Sequence, residues 1–171
     1  MTKSIVLCGF MGSGKTVTGT LLAQKLNLPF VDMDQYIEQK AGMTVSEIFA
    51  TKGEAAFRKM ETDAATELGK MGGQVIACGG GAVLRPENVT ALKQNGVLFY
   101  LQVSPKTVLH RLERDTTRPL LATENKAERI FHLLGEREPL YRTAADYTVD
   151  ANGSKEEVAN TILNLFSNPK E

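Results

Sequence analysis

The run Ile5-Val6-Leu7-Cys8 passes directly into Gly9-Phe10-Met11-Gly12-Ser13-Gly14-Lys15-Thr16, a G-x-x-x-x-G-K-T pattern at the end of an apolar segment. Few sequence features constrain a fold more, because this one needs a strand ending in a tight loop and a helix beginning at once. The glycines admit backbone conformations closed to residues with a Cβ, so successive N–H groups, those of Gly12, Ser13 and Gly14 among them, can converge on one anion. Lys15 is placed to reach β- and γ-phosphates and Thr16 to offer its hydroxyl to Mg2+. The helix expected from about Thr16 to Leu26 aims a partially positive N-terminus at the pyrophosphate. A glycine turn that binds nothing would require neither Lys-Thr at its end nor a strand at its start. The chain is therefore expected to use a nucleotide.

Further on, short apolar runs alternate with longer amphipathic ones. Strands are predicted at Ile5 to Cys8, Pro29 to Met33, Gln74 to Cys78, Val97 to Val103 and Tyr147 to Asp150. Helix starts are legible in the capping boxes at Thr44-Val45-Ser46-Glu47 and Ser154-Lys155-Glu156-Glu157, in Ser104-Pro105 and at Pro86, with Gly96 as a stop. Ser167 to Glu171 reads as a frayed tail. Strands that alternate with helices need crossovers, so the expected fold is α/β, a parallel sheet covered on both faces. A length of 171 residues suits a single domain, 1–171, and no repeat or linker interrupts it. Lys plus Arg and Asp plus Glu both number 20, so no excess positive charge points to nucleic acid. No run suits a signal peptide or membrane span, which makes a cytoplasmic location the expectation. Cys8 and Cys78 each end an apolar run and read as small core side chains, with no disulfide or metal role.

Ligands of such a sheet gather at the carboxyl ends of its strands. The second strand ends in Asp32-Met33-Asp34, whose carboxylates would share one face if the chain stays extended. One of the pair is as readily a helix cap. Both together beside a phosphate site suit phosphoryl transfer, which needs one carboxylate for Mg2+ and another for the attacking hydroxyl. The third strand runs into glycines and offers no acid, so Asp32 is expected to serve Mg2+ through water, and Asp34 the substrate. Gly79-Gly80-Gly81 implies close backbone approach to a ligand. Arg58 and Glu61 are three apart on a predicted helix and by spacing alone read as a solvated ion pair. Arg118 follows a polar, turn-prone stretch and suits a mobile lid over phosphates. Arg137, near a helix end, reads by itself as surface charge.

In this order and spacing the phosphate loop, Asp32-x-Asp34, Phe57-Arg58-x-x-Glu61, Gly79-Gly80-Gly81, Arg118-Pro-Leu-Leu and Arg137-x-Pro-Leu-Tyr141 resemble the set found in shikimate kinases. The likeness runs from Ile5 to about Phe166. It implies a three-layer α/β/α fold of P-loop kinase type with a five-stranded parallel sheet, a mobile lid at about 113–125 and a substrate-binding helical region at about 34–61. It also implies a monomer that moves the γ-phosphoryl of ATP to the 3-hydroxyl of shikimate, in the pathway to chorismate and aromatic amino acids. By the same likeness Arg58 and Arg137 bind the shikimate carboxylate, Asp34 binds ring hydroxyls and acts as base, and Gly80 presents its N–H, with Gly81 beside it. Lys15 and Arg118 act on the phosphates. Arg111 stacks on adenine, and the Asp150 to Ser154 loop borders the base.

Two positions depart from the family pattern. Val17 stands where many relatives have Ser or Thr, leaving its backbone N–H for the α-phosphate, and Ser154 replaces an arginine of some relatives in the adenine loop. Two other readings are weighed. A kinase of the same fold acting on gluconate or a nucleoside monophosphate is disfavoured by the paired arginines and the glycine run. A GTP-dependent switch would use Asn125-Lys126-Ala127-Glu128 and Asp150-x-x-Gly153, but these motifs occur in reversed order and match poorly.

Overall fold

At least one helix separates each apolar run from the next, so neighbouring strands meet by crossover and pair in parallel. The computed structural model describes residues 2–113 and 125–170. Arg118 and the body of the expected lid lie outside these. The strands are β1 (Ser4–Cys8), β2 (Phe30–Asp32), β3 (Val75–Ala77), β4 (Gly96–Gln102) and β5 (Tyr147–Asp150), in the order β2-β3-β1-β4-β5, every pair parallel. The helices are α1 (Lys15–Leu26), α2 (Met33–Ala41), α3 (Val45–Lys52), α4 (Glu54–Met71), α5 (Pro86–Lys93), α6 (Pro105–Leu112), α7 (Lys126–Ala144) and α8 (Lys155–Ser167), with a 3-10 turn at Ala82–Leu84.

The crossover from β1 runs one way along the sheet and the later ones run the other, so right-handedness divides the helices between its faces. α1 packs on α8, and α4 packs on α5, giving the expected three-layer α/β/α architecture. β1 lies in the middle and is buried along its whole length, with Leu7 opposite Ala77 on one side and Phe99 on the other. Such a doubly covered strand has no polar face, which is why it reads as an unbroken apolar run.

The side-chain caps form as anticipated. Thr44, Ser104 and Ser154 accept from the amides of Glu47, Thr107 and Glu157 at 3.1, 3.1 and 3.2 Å. Three expectations are corrected. β2 stops at Asp32, whose Oδ1 accepts from Gln35 N at 3.1 Å, so α2 already includes Met33 and Asp34. Gly96 opens β4, because a Cβ there would come within 2.6 Å of the Leu92 carbonyl oxygen and 2.9 Å of Val6. The supposed frayed tail begins inside α8, and the Lys170 amide donates to the Tyr147 hydroxyl at 3.2 Å.

Candidate active site

Gly14 sits at the N-terminus of α1 in the left-handed region, φ 89°, and no side chain caps the helix. Its first amides are thus left to an external acceptor. The Lys15 ammonium curls over the loop, donating to the carbonyls of Gly9 and Phe10. Ser13 is buried, yet its hydroxyl has no hydrogen-bond partner among the described residues. An orphaned buried oxygen inside a ring of amides is the signature of a site that a polar ligand completes.

A cavity of about 370 Å3 opens between this loop and the carboxyl ends of β2 and β3. Asp32, Asp34, Gly80, Gly81 and Arg137 line it together with Lys15 and Thr16. The carboxylates do not share an extended face as expected. Asp32 ends β2 and caps α2, whereas Asp34 stands in the first turn of that helix, and both still reach the cavity because a helix start turns the chain back over the strand end. Asp34 closes on the glycine run, since a Cβ at Gly79 would stand 2.8 Å from its Oδ1.

The two arginines converge on that run from different helices. A Cβ at Gly81 would lie 2.7 Å from Arg58 Nη1, and one at Gly80 would lie 3.4 Å from Arg137 Nη1. These approaches are what the three small residues permit. Arg58 is no solvated pair with Glu61: Nη1 meets Oε1 at 3.1 Å, and the Glu61 side chain is 2% exposed. Burial raises the Glu61 carboxyl above its ordinary range, against the pull of Arg58. Arg137 is likewise drawn in from the surface, its guanidinium carbon 5.8 Å from the Phe10 ring centroid.

A second cavity of about 290 Å3 shares Ser13, Gly14 and Val17 with the first and extends toward the loop after β5. Arg111 crosses it, donating to Gly12 O at 3.0 Å, Ala151 O at 2.8 Å and Gly153 O at 3.3 Å. The Asp150 carboxylate accepts from the amide and side chain of Asn152, which holds its own pKa below the ordinary value. Asn152 Oδ1 in turn accepts from Ser104 N at 3.0 Å. The hydroxyl of Ser154 is taken up in capping α8 and is not part of this cavity's wall.

Sequence reading left two residues of this region without a role. Tyr141 donates its hydroxyl to Gly80 O at 2.7 Å, and Asn88, fully buried, donates to Ala82 O at 2.9 Å just beyond the glycine run. The first joins positions 61 apart in the chain and the second spans a turn between a 3-10 segment and a helix, neither of which helix or strand spacing reveals. Both thiols are buried, as expected of core side chains, and burial pushes Cys8 up to about 12 and Cys78 upward too.

A phosphate loop at the head of a five-stranded parallel sheet, facing two carboxylates and Arg137 across one cavity with Arg58 behind the glycine run, defines a P-loop kinase for a small acceptor. The family model for shikimate kinase matches residues 11–167, and the chain belongs to that family. The shikimate kinase of Thermodesulfovibrio yellowstonii is 49% identical over 165 residues, covering 96% of this chain and 95% of that protein. That of Caldanaerobacter subterraneus is 45% identical, with 96% of each covered. Among solved structures, shikimate kinase from Acinetobacter baumannii in complex with shikimate superposes with a TM-score of 0.90 at 41% identity, covering 100% of this chain and 97% of the other. A gluconokinase from Sinorhizobium meliloti reaches 0.60 at 16% identity, a likeness of fold alone.

Proposed function

We propose that this protein transfers the γ-phosphoryl group of ATP to the 3-hydroxyl of shikimate, giving shikimate 3-phosphate for chorismate and aromatic amino-acid biosynthesis. Within the family set, the observation that carries the acceptor assignment is the convergence of Arg58 and Arg137 on Gly81 and Gly80, the two glycines and Arg137 facing the phosphate loop across one cavity whose wall does not include Arg58. Planar guanidinium groups offer paired N–H donors to a carboxylate, which fixes the acceptor in orientation as well as place.

Division of labour among the described residues then follows from position, and that of Arg118 and the lid from the family resemblance. The second cavity takes the adenosine end of ATP, with Arg111 along its wall, and the shared segment at Ser13 and Gly14 takes the phosphates. Lys15 and Arg118 neutralise charge on the transferred group, the α1 amides and the Val17 N–H hold the phosphates, and Asp34 orients the attacking hydroxyl and accepts its proton. Ser154 serves the nucleotide indirectly, by starting α8 at the edge of the base pocket. The lid at about 113–125 would exclude water as a competing acceptor.

Magnesium fits the donors present. The Thr16 hydroxyl and the Asp32 carboxylate are hard oxygen ligands on the cavity wall, and no group of three or more His, Cys, Asp or Glu suited to a metal occurs among the described residues. That sparse set suits an ion that keeps waters and leans on phosphate oxygens, Asp32 acting through water. Bound there, it would offset phosphate charge.

Among the described residues no helix is long and apolar enough to cross a membrane. A cytoplasmic monomer with ATP and shikimate as its partners and no nucleic acid is the accompanying proposal. The test is ADP release from Mg-ATP with shikimate, gluconate and nucleoside monophosphates as parallel acceptors. Release with shikimate and a phosphorylated product is expected. Turnover with another acceptor and none with shikimate would overturn the roles of Arg58, Arg137 and Gly80.

A further inference from the structure

Three consecutive glycines present the acceptor with main-chain groups, and a chain so free must be held if those groups are to keep one direction. Two of the three carbonyls are held by backbone. Gly79 O accepts from Ala82 N at 3.1 Å, and Gly81 O from Leu84 N at 3.2 Å. The middle carbonyl is held by a side chain, the Tyr141 hydroxyl at 2.7 Å from Gly80 O.

That hydroxyl is aimed by a ring that has no room to turn. Tyr141 is 0% exposed, and its ring packs on Tyr100 at 5.2 Å between centroids, 31° from parallel. Tyr100 in turn lies on β4 opposite Cys8 of β1, in the rigid middle of the sheet. Burial pushes the Tyr141 hydroxyl up to about 12, so it stays a donor throughout the neutral range. The Gly80 carbonyl and the Gly81 N–H belong to one planar trans peptide and point in opposite directions. Pinning the first therefore turns the second away from Tyr141.

From this geometry, and resting on the acceptor site proposed above, we infer that Tyr141 is a positioning residue for the acceptor, fixing the Gly80–Gly81 peptide. Arg137 stands one turn earlier on the same helix. One face of α7 thus delivers the acceptor's anchoring guanidinium and also sets the Gly81 N–H, beside the Gly80 N–H whose own peptide is held through Gly79 O by the Ala82 amide. Substrate binding at the glycine run and the seating of α7 on the sheet are coupled through a single hydroxyl.

The test is steady-state kinetics of Tyr141→Phe, with Tyr100→Phe as comparison. Tyr100 is equally buried, and its hydroxyl has no hydrogen-bond partner among the described residues, so its loss perturbs the aromatic pair without touching Gly80. Tyr141→Phe should raise the shikimate KM roughly 3- to 10-fold, the worth of one hydrogen bond, and leave the ATP KM within about twofold. Tyr100→Phe should leave both near the parent values. An unchanged shikimate KM in Tyr141→Phe, or equal rises for both substrates in both variants, would overturn the inference. Absence of shikimate-dependent ADP release from the parent protein would instead overturn the functional reading and this inference with it.

Discussion

Lys15 and Arg137 line the same cavity, and the reaction asks different things of them. In the proposed reaction Lys15 meets charge that grows during transfer, so Lys15→Ala should lower kcat by about 100- to 1,000-fold with a smaller change in shikimate KM. In the same proposal Arg137 meets a carboxylate already present in the ground state. Arg137→Ala should raise the shikimate KM roughly 10- to 100-fold, and initial-rate kinetics with each substrate varied will separate the two effects. Glu61 carries a pH signature. Its carboxyl binds a proton more tightly in the folded chain than in the unfolded one, so its contribution to stability falls as pH rises from the ordinary glutamate value, about 4.3, through the raised one. In Glu61→Gln that loss is absent. Melting curves of the two proteins from about pH 4 to about pH 7 should drift apart in favour of the variant, and a constant difference would refute the shift. The sequence shows that Arg58 and Glu61 are neighbours, because three residues separate neighbours on any helix. It does not show that α4 turns Glu61 inward, since that depends on which helices cover it.

Helix ends were largely legible because caps are local chemistry: Thr44, Ser104 and Ser154 each bond an amide three residues on. β2 was overextended for a related reason. Its three residues are too few for a clear alternation, and Asp32 is at once the last strand residue and the helix cap, so strand and helix signals overlap. Gly96 misled in the other way, since a glycine after a helix usually ends it, whereas this one makes room for Leu92 and Val6. Close approach is also the meaning of Gly69. A Cβ there would come 1.9 Å from the Ala91 carbonyl oxygen, where α4 meets α5. Neither backbone can yield without parting the helices, so Gly69→Ala should cost at least about 3 kcal/mol, roughly 6 to 12 °C of melting temperature. Gly135 in α7 has nothing among the described residues within 4 Å of a Cβ, and Gly135→Ala should gain up to about 1 kcal/mol. Thermal unfolding of both variants checks the pair.

At the scale of the whole molecule, the alternation of runs announced an α/β sheet of five parallel strands, but their order is a matter of which crossover passes which, and residue patterns carry little of that. The fold places two cavities side by side on one loop, and each ligand should stabilise the chain by mass action. At a hundred times its dissociation constant a ligand adds about 2.7 kcal/mol, so ATP or shikimate at that level should raise the melting temperature by roughly 5 to 11 °C. A dye-binding melt with each ligand alone tests this, and no shift with shikimate would count against the acceptor cavity. Arg111 has a bearing on how such a protein can change over generations. In the proposed site the phosphate wall is fixed by main-chain shape that glycine alone supplies, whereas the base wall is a short loop held by Asn152 and by one guanidinium that grips carbonyls, groups every residue possesses. The grip itself asks for no particular side chain at 151 and 153, but packing does: Ala151 is buried, and a Cβ at Gly153 would stand 2.4 Å from Glu157 Oε2. Change in the proposed base wall is therefore limited by volume, and change in the phosphate loop by the shape of the main chain.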